Sequence, residues 1–115
     1  MIFDYKSKTE KGIKTYHLSG ELIDRSQAVK MLEEIDSAIA ANENKVLLNL
    51  QDLKYINSSG LNIFINILTK ARKSGGDVAI CCVNKKINEL LVITKLNSVF
   101  NVSNTTEEAI AVLNK

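Results

Sequence analysis

The stretch "KVLLNLQDLKYINSSGLNIFINILTKARKSGGDVAICCV", Lys45 to Val83, decides the fold. It opens on "KVLLNL", a short apolar run without the alternation of a half-exposed strand. Such a run reads as a central strand covered on both sides. "QDLKYIN" reads as a loop that returns to the surface. From Ser58 a helical period begins, with Leu61, Phe64, Ile65 and Leu68 on one face. Lys70, Arg72 and Lys73 gather near its end, where the helix dipole favours cations. Gly75 and Gly76 terminate it. "DVAICCV", Asp77 to Val83, is a second buried strand. A strand, a helix and a strand in this order imply parallel neighbours joined by a crossover.

Upstream, Ile2–Lys8 and Ile13–Leu18 read as two antiparallel strands around the turn "EKG", where Gly12 can take positive φ. Gly20, in "HLSGELID", marks a bend, a bulge or a close backbone approach. Ser26–Ala41 reads as the first helix, capped by Asp24 or Ser26. Ala28, Met31, Leu32, Ile35, Ala38 and Ile39 form its apolar face. Downstream, Asn84 caps a short helix from Lys85 to about Thr94, with Ile87, Leu90 and Leu91 inward. Val99–Val102 is a last short strand, and Thr105–Leu113 closes the chain as a helix with acids in its first turn. The expected architecture is one α/β domain over residues 1–115. Its sheet is mixed but mostly parallel, with four to five strands, the N-terminal strand at an edge, and about four α-helices.

A chain of 115 residues, 45% apolar and 24% charged, is ordinary for one globular domain. A net charge of +2 with scattered Lys and Glu gives no nucleic-acid footprint. No apolar run is long enough for a membrane span, and no signal region opens the chain, so a cytoplasmic protein is expected. One histidine, His17, reads as a half-exposed strand residue. With Cys81 and Cys82 as the only cysteines, a metal site lacks ligands. No cofactor is implied, and no catalytic set is assembled, so an enzyme is not expected. Adjacent strand residues point to opposite faces, which makes a disulfide between Cys81 and Cys82 implausible.

Within "YINSSGLNIF" the polar junction lies where α/β proteins place their sites, at a strand's C-terminal end and a helix's start. Ser58 reads as the N-cap, with Ser59 and Gly60 at the first two helical positions. Gly inside a helix costs about 1 kcal/mol against Ala, so a close approach of another backbone or a partner is the better reason for Gly60. The multiple glycines and lysine of a Walker loop are missing, and so are the flanking glycines of a nucleophile elbow. A structural cap and a phospho-acceptor serine both remain, and the residues alone do not separate them.

The stretch from "VLLNLQDLKYINSSGL" to "LNSVFNV", with "HLSGELID" upstream, resembles the STAS domain of bacterial anti-sigma factor antagonists. The family pattern is a buried strand, "D-L-x-x-(aromatic or I)-D-S-(S/T)-G-(L)", a helix, a Gly-Gly turn and a further strand. In similar proteins the first serine of this motif is phosphorylated by a partner that is both a serine kinase and an anti-sigma factor. The resemblance places that serine at Ser58, with Ser59 the second candidate. It implies release of the kinase on phosphorylation and resetting by a metal-dependent serine phosphatase. It also implies a partner-binding surface of Asn57, Ser59, Gly60 and Asn62, with Gly20, Glu21 and Asp24 from the neighbouring loop. Two positions depart from the pattern: Asn57 replaces the family aspartate, and Ile23 takes the usual place of an upstream acid, with Asp24 one residue later. The alternative is a non-switching interaction module, such as an accessory subunit of a transport or stress-signalling assembly. A monomer without nucleic-acid binding or membrane insertion is expected in either case.

Overall fold

A computed structural model of the chain describes residues 2–114. Strands β1 (Asp4–Glu10) and β2 (Ile13–Leu22) lead through a 3-10 turn at Arg25–Ala28 into α1 (Val29–Ala40). Then follow β3 (Lys45–Ile56), α2 (Ser58–Lys73), β4 (Asp77–Cys81), α3 (Lys85–Ile93), a 3-10 turn at Leu96–Ser98, β5 (Asn101–Ser103) and α4 (Thr106–Leu113). The five strands form one sheet in the order β1-β2-β3-β4-β5. β1 runs antiparallel to β2, and the other pairs are parallel. The mixed sheet with its N-terminal strand at an edge is the expected one.

The strand at the centre is longer than its sequence suggests. "QDLKYI" is not a loop but the second half of β3. β2 also runs on, to Leu22, and pairs there with β3 through Gly20↔Leu53, Glu21↔Tyr55 and Leu22↔Ile56. Register shifts between His17 and Ser19 and between Gly20 and Glu21 break the alternation of faces. Burial along Gln51–Ile56 therefore falls on Leu53 and Ile56, every third residue, a spacing that reads as neither strand face nor loop.

The first helix starts later than expected. Arg25–Ala28 winds as a 3-10 turn, and Ala28 has φ −111° and ψ 10° before α1 begins. The Ser26 hydroxyl donates to Asp24 Oδ2 (2.6 Å) instead of capping the helix. Gln27 holds the turn, its Oε1 accepting from the N–H groups of Ile23 (2.8 Å) and Asp24 (3.0 Å).

The core lies on both faces of the sheet, unequally. The larger cluster joins Tyr16, Leu18, Leu48 and Leu50 to Met31, Ile35, Phe64, Ile67 and Leu91 of α1, α2 and α3. The smaller packs Ile13, Leu47, Ala79 and Cys81 under Ala109, Ile110 and Leu113 of α4. The buried stripe of α2 is wider than a single face and includes Ile63, Ile67 and Ala71. That width follows from its contacts with β3 and β4 on one side and α1 on the other.

The cysteines do not face opposite sides. Cys82 lies one residue beyond β4 and takes φ +64°, which swings its side chain back beside Cys81. Both are free thiols, with their Sγ atoms 3.3 Å apart.

Tyr16 is fully buried, and its hydroxyl has no hydrogen-bond partner among the described residues. Burial pushes its phenol up to about 12, with Glu43 adding to the shift. The folded chain thus keeps this proton where the unfolded chain loses it. Stability from this group is complete below pH 10 and is lost as pH rises from 10 to about 12. Tyr16→Phe removes an unpaired buried hydroxyl and is expected to raise stability near neutral pH by about 1 kcal/mol. Urea denaturation from neutral to alkaline pH will show this gain and a shallower alkaline loss.

Candidate functional site

The junction between β3 and α2 is built around Asn57. Its backbone is extended, with φ −110° and ψ −172°, and its Oδ1 accepts from the Gly60 N–H at 3.0 Å. The N-cap is therefore Asn57, not Ser58, and Ser58, Ser59 and Gly60 fill the first three helical positions. The other half of the amide reaches across the chain. Asn57 Nδ2 donates to the Ile23 carbonyl at 3.0 Å, and the Asn57 N–H donates to the Leu22 carbonyl at 3.4 Å. One side chain thus starts α2 and ties it to the loop that leaves β2.

With the cap supplied by Asn57, the serines are released from that duty. Both are exposed, and the Ser58 hydroxyl has no hydrogen-bond partner among the described residues. It stands in the first turn of a sixteen-residue helix. Free N–H groups there carry partial positive charge, and basic residues fill the helix's last turn. An anion on Ser58 Oγ would sit at the favourable pole.

Gly60 is buried, and the close neighbour is the chain itself. A Cβ there would lie 2.6 Å from the Leu22 carbonyl oxygen and 2.4 Å from Ile56 Cγ1. Gly20, also buried, has φ +84°, and a Cβ would meet the Ile2 carbonyl oxygen at 2.1 Å. Both glycines let backbones approach beneath the surface. Around them Asp24 and Asn62 are exposed, and Asn57 and Glu21 are half-buried. The Glu21 carbonyl accepts from Gln27 Nε2 at 3.1 Å. The contacts of Asn57 and Gly60 with Leu22 and Ile23 bring the end of β2 and the turn after it to the start of α2. Gly20 and Glu21 therefore belong to the strand and not to a loop.

A groove of about 350 Å³ beside Ser58 escaped the reading of the sequence. Tyr55, Ile56, Ile87 and Leu90 line it, with Lys54 and Lys86 among the wall residues. Tyr55 is 48% exposed despite its size, and Leu90 is only half-buried although its helical spacing points inward. Asn84 fixes the far wall. It caps α3 by accepting from the Ile87 N–H (2.8 Å), and its Nδ2 donates to the Leu53 carbonyl (3.1 Å). Among the described residues no carboxylate lines this groove, so its two lysines favour an anionic surface or group. The only sequence signal was an aromatic residue next to the polar motif.

A larger, more polar groove of about 750 Å³ lies elsewhere, on the sheet face that α4 leaves uncovered. His17, half-exposed as expected, has its Nε2 2.6 Å from Asp52 Oδ2 there. Among the described residues no cluster of three or more His, Cys, Asp or Glu could hold a metal ion. No helix among them is long and apolar enough to cross a membrane.

Comparison with known proteins fits this geometry. Residues 4–109 match the STAS domain family, and the chain belongs to it. It is 27% identical over 104 residues to the anti-sigma F factor antagonist of Paenibacillus polymyxa, covering 90% of this chain and 88% of that one. The crystal structure of an anti-sigma factor antagonist from Mycobacterium paratuberculosis superposes with a TM-score of 0.82 at 18% identity, over 98% of this chain and 95% of that one. The Bacillus cell fate determinant SpoIIAA in its phosphorylated form gives a TM-score of 0.74 at 17% identity, over 94% and 97%. At these identities the solved structures establish a shared fold.

Three substitutions test the junction. Asn57→Asp keeps an N-cap acceptor but loses the donor to Ile23, and is expected to cost about 1 kcal/mol. Asn57→Ala loses both and is expected to cost about 2 kcal/mol. Gly60→Ala should cost about 1–3 kcal/mol through overpacking against Leu22. Urea midpoints of the purified variants check all three values.

Proposed function

We propose that this chain is an anti-sigma factor antagonist that works by partner switching, with Ser58 as the phospho-acceptor. The observation that carries the reading is the exposed Ser58 hydroxyl, unpartnered among the described residues, in the first turn of α2 and beside a groove that holds Lys54 and Lys86. The names of its relatives and the phosphorylated form known for SpoIIAA support it.

In the unphosphorylated state the surface around Asn57, Ser58, Ser59 and Asn62, with Glu21 and Asp24 beside it, docks on a serine kinase that is also an anti-sigma factor. Tyr55 and Leu90 supply apolar contact at its edge. Phosphoryl transfer from ATP to Ser58 Oγ needs an in-line approach, and the kinase provides the base and the metal. The product carries about −1.5 to −2 charges. Within a desolvated interface facing a partner's acidic groups, that charge breaks binding without refolding either protein. In the released state the positive pole of α2 stabilises the phosphoserine until a serine phosphatase removes it. Asn57 leaves no carboxylate beside the phosphoryl group, so phosphoserine meets less repulsion here than next to an aspartate.

Incubation with candidate serine kinases of the source organism and ATP, read by intact mass, tests the reading. A single added phosphate is expected, absent in Ser58→Ala and retained in Ser59→Ala. Ser58→Asp should weaken kinase binding by at least about tenfold, equivalent to 1.4 kcal/mol. A phosphate that survives Ser58→Ala overturns the site. Recovery of a transporter ATPase with no kinase from the same cells overturns the switch and favours a non-switching module.

A further inference from the structure

Two thiols in van der Waals contact are unusual in a chain with only two cysteines. Cys81 ends β4 and is fully buried among Ile13, Leu47, Ala109 and Leu113. Cys82 follows it and is only half-buried. On a continuing strand the two side chains would diverge. Cys82 instead adopts φ +64°, a conformation that costs a residue with a Cβ roughly 1–2 kcal/mol. Neighbouring bonds hold it there. The Cys82 N–H donates to the Ser103 carbonyl at 3.3 Å, and two residues on, Asn84 is pinned to Leu53 and Ile87. The result is a 3.3 Å separation between Cys82 Sγ, the donor, and Cys81 Sγ, the acceptor.

We propose that Cys81 and Cys82 form a two-electron redox site that closes to a vicinal disulfide when a peroxide reaches Cys82. The half-buried Cys82 thiolate attacks the peroxide O–O bond and becomes a sulfenic acid, while the peroxide is reduced to an alcohol or water. Cys81 Sγ then attacks the Cys82 sulfur, the S–S bond forms, and the sulfenic oxygen leaves as water with the Cys81 proton. Two thiols lose two electrons and two protons in all, and one peroxide is consumed. The roles follow from the surroundings. Burial, together with the Cys82 contact and the Glu107 charge, pushes the Cys81 thiol far up, so Cys82 is the sulfur that meets the oxidant and Cys81 resolves it. Adjacent Cα atoms are about 3.8 Å apart across a trans peptide, less than the roughly 4.4–6.8 Å of ordinary disulfides. The ring is consequently strained and readily reopened by small thiols, which makes the site reversible.

The test is independent of Ser58. The purified full chain is treated with a small excess of hydrogen peroxide, denatured, blocked with N-ethylmaleimide and weighed intact. The expected product is a monomer lighter by two hydrogen atoms that takes up no maleimide. Reduction restores two maleimide adducts. Cys82→Ser should abolish the loss, and Cys81→Ala, checked for folding by circular dichroism, should accumulate a sulfenic acid trapped by dimedone at Cys82. An unchanged mass with two maleimides, oxygen added without loss of hydrogen, or a disulfide-linked dimer each overturns the proposal. The wild-type measurement alone decides this if the Cys81 variant fails to fold.

Discussion

The site depends on how closely three chain segments approach at one point. β2 ends at Leu22, β3 ends at Ile56, and α2 begins at Ser58. The Leu22 carbonyl oxygen lies 2.6 Å from where a Cβ on Gly60 would sit, and the Asn57 amide spans from the Gly60 N–H to the Ile23 carbonyl. Neither contact tolerates a generic residue. A side chain at position 60 would push β2 and α2 apart, and a carboxylate at position 57 would face Ile23's carbonyl with an acceptor instead of a donor. Because Asn57 satisfies the helix end, Ser58 keeps a free hydroxyl on the surface. The chemistry available to Ser58 is therefore a consequence of its neighbour's hydrogen bonds.

This geometry gives one of the two departures from the family pattern, that at position 57, a physical account, since the group it meets at Ile23 is a backbone carbonyl that any residue supplies. Asn57 stands where the pattern has aspartate, and Ile23 where it has an acid. They touch, through the Asn57 amide and the Ile23 carbonyl. An amide can donate to a carbonyl and a carboxylate cannot, so the exchange at position 57 adds a bond between α2 and the loop after β2. Negative charge falls at position 57, while Asp24 keeps an exposed carboxylate one residue after Ile23.

The two faces of the sheet do different work. α1, α2 and α3 cover one face and supply most of the buried apolar surface, which dominates the stability of such a domain. Surface ion pairs such as Lys70–Asp36 and Arg72–Asp77 add little by comparison. Among the described helices α4 alone packs on the other face, over β3, β4 and β5. It leaves the polar groove around His17 open at one side and shelters Cys81 at the other. Cys82 packs half-buried at the edge of this smaller cluster.

Much of the architecture was legible along the chain. The apolar runs at Lys45–Leu50 and Asp77–Val83 and the helical spacing after Ser58 identified a parallel α/β sheet, because burial on both faces and one-sided helices leave distinct periods. The motif from Asp52 to Leu61 marked the junction and the family. Several features were not legible, each for a non-local reason. The second half of β3 is a strand only because β2 continues beside it through two register shifts, which erase the alternation. Asn57 takes the cap from Ser58 because the Ile23 carbonyl, thirty-four residues away, holds the other end of its amide. The groove at Ser58 needs α3, which Asn84 ties to Leu53 across thirty-one residues. Cys81 and Cys82 are adjacent in sequence, yet their contact rests on one left-handed residue held by Ser103 of β5. Local composition determined the elements and their order. Which polar groups were left free to react was decided by bonds between segments that only the folded chain brings together.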